Sequence, residues 1–220
     1  MSEVESAGRA GGGPPAYPFD PRHEMLELVP VGARRVLDVG CGRGGFGWTL
    51  GRGRPAATLW GLEPEPDLAA EASAHYHRVV AGAFPEALPG DRDRFDCIVF
   101  NDVLEHLADP WDALGRARRL LGPGGAVVAS VPNVRNARTL FDLAVRGDWT
   151  YVELGVLDRT HLRFFTRRSM VAMFDACGYR VEALVGVHPL GASHGRPGRM
   201  VPRLLGELAY TGFGLRARPR

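Results

Sequence analysis

The 220-residue sequence contains no lysine; all 27 of its Lys-plus-Arg residues are arginine. That absence excludes a lysine Schiff base, a P-loop lysine and any lysine nucleophile. Cysteine is scarce too. Cys41, Cys97 and Cys177 stand far apart with no C-x-x-C spacing, so neither a disulfide framework nor a cysteine metal knuckle is expected. Net charge is nearly lacking, at +2. This is too little for a phosphate-binding surface, and no nucleic-acid partner is expected. Arginine in place of lysine, beside 29 glycines, reads as compositional bias. There is no apolar run of the ~18 residues a membrane helix needs. Glu3 and Glu5 stand where a signal peptide would be basic and then apolar, so a reduced, cytoplasmic protein is expected. The remaining composition, 45% hydrophobic and 24% charged, is that of one globular domain.

Residues 1–16 are rich in Gly, Pro and Ala without apolar periodicity and are expected to form a flexible tail before a single domain over residues 17–220. From Arg35 onward apolar strands alternate with helical stretches, the pattern of βαβ units and a mostly parallel sheet. Strands are predicted at Arg35–Val39, Thr58–Glu63, His77–Ala81, Phe95–Asn101, Gly125–Val131 and Tyr179–Val187, with a weak, glycine-rich candidate at Tyr210–Ala217. Asp109-Pro110 can start a helix whose Trp111, Leu114, Ala117 and Leu121 share one face before Gly122-Pro123 stops it. Thr166 can cap another, with Met170, Val171 and Phe174 inward and Gly178 at its end.

The strongest local signal is VLDVGCGRGGFG, residues 36–47, a buried strand running into a glycine-rich turn and a helix. Gly40, Gly42 and Gly45 satisfy G-x-G-x-x-G, which dinucleotide and other adenosine cofactors both use, because the backbone must turn sharply and approach a ligand. Asp38 separates the two. A carboxylate two residues before the first glycine would repel pyrophosphate but suits a ligand bearing an ammonium and a sulfonium. Glu63, at the end of the second strand, is placed to grip ribose hydroxyls in either case.

Taken together, VLDVGCGRGGFG, LWGLEPEP, FDCIVFNDVLEHLADP and LLGPGGAVVASVPN resemble, in order and spacing, class I S-adenosylmethionine-dependent methyltransferases over about residues 22–187. The resemblance implies a Rossmann-like α/β three-layer sandwich, with a seven-stranded, mostly parallel sheet and an antiparallel last strand. It implies S-adenosylmethionine as cofactor, with Asp38 and the Gly40, Cys41 and Gly42 backbone at its methionine part, Glu63 at the ribose and Asn101 on the sulfonium side. The family's third motif usually carries an Asp for the adenine amino group. This chain has Ala83 there, so adenine recognition would fall to backbone groups and apolar contact, with Phe84 as the candidate or, equally, a core residue. A nicotinamide oxidoreductase and a non-catalytic domain of the same fold are the rival readings.

Methyl transfer is an in-line displacement in which alignment can supply about 7–11 kcal/mol and a general base about a hundred- to ten-thousandfold. His106, after the fourth strand, and His161, in LDRTHLRFFT, are the candidate catalytic residues. Asp102, Glu105 and His106 at i, i+3 and i+4 would share one side of a helical turn, and His161 could complete a metal site. Ubiquinone-type O-methyltransferases have a similar run with a bound divalent ion. Turn-forming and substrate-orienting roles are the preferred expectation, with no metal. Residues 133–165 form an insertion expected to act as a lid, with Phe141, Leu143, Trp149 and Tyr151 as an aromatic wall and Asn133, Arg135, Asp158 and Arg159 as polar handles. The acceptor is expected to be a small molecule or sugar-containing metabolite with an oxygen nucleophile. The arginines at 196, 199, 203, 216, 218 and 220 are expected to belong to a solvated terminus.

Overall fold

The structure, a computed structural model, describes residues 17–87, 94–190 and 203–220. The predicted tail at 1–16, as well as Arg196 and Arg199, lie outside them. Seven strands form one sheet: β1 (Arg35–Val39), β2 (Thr58–Glu63), β3 (Arg78–Ala81), β4 (Phe95–Asn101), β5 (Leu121–Pro132), β6 (Tyr179–Pro189) and β7 (Tyr210–Pro219). Their order is β3-β2-β1-β4-β5-β7-β6. The pairs among β1 to β5 are parallel, and β7 runs antiparallel between β5 and β6. The expected fold class is therefore observed.

Alternate residues of the central strands point to opposite faces, and both faces are covered, which is why these strands read as unbroken apolar runs. Leu37, Ile98 and Val127 face a cluster shared with α3 (Pro110–Leu120) and α5 (Arg167–Ala176), through Leu114, Met170 and Phe174. Val36, Val99 and Val128 face the other cluster, with Phe46 and Leu50 of α1 (Gly45–Gly53) and with Met25 and Leu28 of the N-terminal segment. Leu28 and Met25 can lie there because β7 has no side chain at 214. A Cβ on Gly214 would come within 2.9 Å of both. The glycines that weaken β7 as a strand thus make room for the N-terminal segment.

Asp109 caps α3, accepting from the Asp112 N–H at 3.0 Å with Pro110 in the first turn. Thr166 and Ser169 form a reciprocal capping box on α5. Two inward-face assignments shift. Trp111 is exposed on α3 and Ala113 takes the core position; on α5 Met173, not Val171, accompanies Met170 and Phe174. Three of the C-terminal arginines are held by acids and do not belong to a free terminus. Arg216 and Arg218, both on β7, pair with Glu182 of β6 at 3.3 and 3.0 Å, and Arg220 pairs with Asp175. Among the described residues no helix is long and apolar enough to cross a membrane.

Candidate functional site

The C-terminal edge of β1, β2 and β4 opens into one cavity of about 1120 Å³, large enough for a nucleoside-sized ligand and a second molecule. The turn after β1 builds its floor. Gly40 has φ +68°, and a Cβ there would come within 2.6 Å of Val103 Cγ2, so only glycine passes. The N–H groups of Gly40 and Cys41 both donate to the Leu62 carbonyl, at 2.7 and 3.1 Å, and Gly42 N–H donates to Glu63 Oε2 at 2.8 Å. The turn is thus locked to β2. Glu63 Oε1 accepts from Glu65 N–H at 3.1 Å. Burial raises the Glu63 carboxyl above its ordinary pKa, with those two hydrogen bonds opposing.

Asp38 is buried beside this turn. Its Oδ2 accepts the Tyr76 hydroxyl at 2.5 Å, while Oδ1 has no partner among the described residues. Burial pushes its pKa up to about 7, against the opposing pull of the Tyr76 hydrogen bond and the Arg22 charge. Asn101, at the end of β4, lines the cavity with both amide atoms buried and unpartnered among the described residues. Cys41 is buried, with its Sγ in the space a Cβ on Gly61 would fill. Phe84 lines the cavity and also packs edge-on against Phe100, at 5.4 Å between centroids, so it is both core and wall.

In the same cavity, Glu105, His106 and His161 bring one donor atom each to within 4.8 Å of the others. Glu105 and His106 lie in a single 3-10 turn, Leu104–His106. Asp102 does not join them, contrary to the helical-spacing expectation. It precedes the turn with φ +52°, and its carboxylate goes to Arg22 Nη1 at 2.5 Å and to the Ser130 hydroxyl at 2.7 Å. Burial would raise its pKa, but the Arg22 guanidinium outweighs it and holds the carboxyl below the ordinary range. Glu105 is fully buried, neither of its oxygens has a hydrogen-bond partner among the described residues, and burial first, then the Asp102 charge, pushes its pKa well up. His161 Nε2 lies 3.9 Å from Glu105 Oε1. The rings of His106 and His161 meet edge to face at 4.7 Å. Burial and the neighbouring His161 lower the His106 pKa, keeping it neutral near pH 7, with a hydrogen bond to the Thr160 backbone opposing them.

The insertion contributes to the cavity through its second half: Leu154, Gly155, Val156, Asp158, Thr160 and His161 line it. The expected aromatic wall is displaced. Phe141, Leu143 and Tyr151 are exposed, Trp149 stacks edge-on against Phe164, and none of the four lines the cavity. Of the polar handles, Asp158 faces the cavity; Asn133 binds the Glu207 and Tyr210 carbonyls, Arg135 pairs with Glu207, and Arg159 pairs with Glu153.

Sequence reasoning missed the N-terminal strap. Tyr17, Asp20 and Arg22 all line the cavity, and Arg22 is buried, bonding Asp102 and the Ser130 hydroxyl at 2.7 Å. Its partners lie 80 and 108 residues away along the chain, and no local pattern announces such a pairing. His188, likewise unassigned, reaches the cavity rim.

The residues present fit S-adenosylmethionine. The unpartnered Asp38 Oδ1 can accept an ammonium, Glu63 keeps lone pairs for hydroxyls, and the orphaned Asn101 amide faces the space between. A divalent cation also finds an acceptable donor set in one carboxylate and two imidazoles.

The family described as "Methyltransferase domain" matches residues 14–184. The chain is 30% identical over 176 residues to the ubiquinone biosynthesis O-methyltransferase of Azorhizobium caulinodans, covering 75% of this chain and 66% of that one. It is 28% identical to the enzyme of the same name from Thiobacillus denitrificans, covering 79% of each. It thus spans just under two thirds of the first relative's length. Among solved structures, the CcbJ methyltransferase of Streptomyces caelestis shares the fold with a TM-score of 0.63 at 18% identity, over 95% of this chain and 99% of that one.

Proposed function

This chain belongs to the class I S-adenosylmethionine-dependent methyltransferases, and from that premise we propose that it methylates a hydroxyl oxygen of a small molecule, with His106 as the base and His161 beside it. The observation that carries this reading is the pair of imidazoles lining the same cavity as Asp38 and Glu63. The similarity to enzymes named O-methyltransferases points the same way.

S-adenosylmethionine, when bound, supplies an electrophilic methyl group on a sulfonium. The chain's own residues bind, orient and exclude water around it. Asp38 Oδ1 would accept the amino group, Glu63 would accept the ribose hydroxyls, and Arg22 would offer a cation to the methionine carboxylate. Phe84 and the backbone at Ala83 would hold the adenine, and Asn101 would serve the sulfur side. His106, held neutral by burial, accepts the hydroxyl proton, a role worth about a hundred- to ten-thousandfold in rate. The strap at Tyr17 to Arg22 and the insertion, residues 133–165, close over the cavity as a lid and keep water out. A reducing cytoplasm suits the three unpaired cysteines.

The test is incubation with methyl-labelled S-adenosylmethionine and catechol, with the product identified by mass spectrometry. A methoxy product that falls at least a hundredfold with His106→Ala supports the reading. Transfer to amines alone, or full turnover by His106→Ala, overturns it. A second reading has one observation in its favour, the convergence of Glu105, His106 and His161: a divalent cation there would activate the oxygen, and chelation would then abolish turnover until the cation is restored.

A further inference from the structure

We propose that Asp158 and Thr160 are positioning residues that fix His106 in a single tautomer, with the proton on Nδ1 and the lone pair on Nε2. The inference rests on His106 being the base of the proposed reaction.

The protons around Thr160 can be counted. Asp158 is buried, and its Oδ1 takes two donors from the same residue, the Thr160 backbone N–H at 2.8 Å and the Thr160 hydroxyl at 2.7 Å. A carboxylate can only accept, so the one hydroxyl proton of Thr160 is committed to it. The Thr160 oxygen lies 3.1 Å from His106 Nδ1 and has only lone pairs left to offer there. Nδ1 must therefore carry the hydrogen, and Nε2 is left unprotonated. The second ring obeys the same logic. His161 Nδ1 lies 3.1 Å from the Val156 carbonyl, which also can only accept, so its Nδ1 carries a hydrogen too.

The segment that imposes both tautomers is itself tied down. Asp158 N–H donates to the Gly155 carbonyl and His161 N–H to the Asp158 carbonyl, both at 3.1 Å. The N–H groups of Leu162 and Arg163 then close on the Glu105 carbonyl, at 2.8 and 3.0 Å, joining the segment to the turn that carries His106. The relay Asp158, Thr160, His106 thus spans the insertion and the sheet edge. It orders the base only when the insertion is seated.

NMR of the histidine-ring nitrogens tests this, on protein with isotopically labelled histidine and bound S-adenosylhomocysteine, using His106→Gln to assign the signal. The wild type should show His106 protonated at Nδ1. Thr160→Val, which keeps the shape but loses the hydroxyl, should mix the tautomers and lower kcat on catechol about tenfold with KM unchanged, the rate equivalent of one hydrogen bond. Thr160→Ser should recover both. An Nε2–H tautomer in the wild type, or an unchanged Nδ1–H tautomer in Thr160→Val, overturns the proposal. Full turnover by His106→Gln with the tautomers ordered as stated would instead count against the base reading, so the two failures are distinguishable.

Discussion

Lowering the pH from about 8 to about 5 should weaken cofactor binding about a hundredfold, through Asp38 alone. Its pKa is pushed up to about 7, chiefly by burial, and only the ionised form can hold an ammonium at Oδ1. The apparent dissociation constant therefore scales as one plus the ratio of protonated to ionised carboxyl. It is flat above about pH 7 and rises tenfold per unit below it. Two units below the midpoint the loss is about 2.7 kcal/mol. Calorimetric titration with S-adenosylhomocysteine, in two buffers of different ionisation enthalpy, measures both the constant and the protons released, which should approach one per site at low pH. Asp38→Asn should flatten the profile. Tyr76→Phe removes a hydrogen bond that favours the carboxylate and should move the midpoint upward. The apoprotein carries the opposite sign: the folded pKa exceeds that of the unfolded carboxylate, so this group's contribution to stability falls as pH rises from about 4 to about 7. A dissociation constant unchanged between about pH 5 and 8, or the same slope in Asp38→Asn, would refute the reasoning.

Three further outcomes are expected. In Gly47→Ala the new Cβ would come within 2.3 Å of the Tyr76 ring, so Tyr76 must move away from Asp38; urea unfolding should show a loss of about 1–3 kcal/mol, and calorimetry weaker cofactor binding. Glu105→Met replaces a buried carboxyl without hydrogen-bond partners among the described residues and should raise stability by about 1–3 kcal/mol, read from urea unfolding. A destabilised variant would show that Glu105 has a partner this account lacks. Thr166→Ala removes the capping box of α5, which lies away from the cavity; the urea midpoint should fall by the equivalent of about 1 kcal/mol with turnover intact.

How far the sequence spoke for the structure depended on the range of the interaction. β1, β2 and β4 were bounded to the residue, because near-continuous apolar runs between turn residues leave little freedom. β7 showed in the residues only as a weak candidate, which the family resemblance made the antiparallel last strand, since Gly212 and Gly214 serve packing against other segments and not strand propensity. Trp111 misled because an amphipathic pattern fixes a helix more firmly than its rotation, and the small Ala113 fitted the core instead. Asp38, Glu63 and the glycine turn come together at one cavity as expected, because both strand ends and the turn lie within one βαβ unit. Asp102 was misassigned because spacing arguments assume an unbroken helix, and the backbone turns left-handed at that residue. Arg22, its true partner, is invisible to local patterns, as is the relay from Asp158 to His106, which crosses 54 residues between its hydroxyl and its ring.

The most direct test of the central claim is an experimental structure with S-adenosylhomocysteine bound. Its amino group is expected on Asp38 Oδ1, its ribose hydroxyls on Glu63, and its sulfur turned toward Asn101, His106 and His161. A ligand seated elsewhere, or one whose sulfur faces away from both imidazoles, would contradict it.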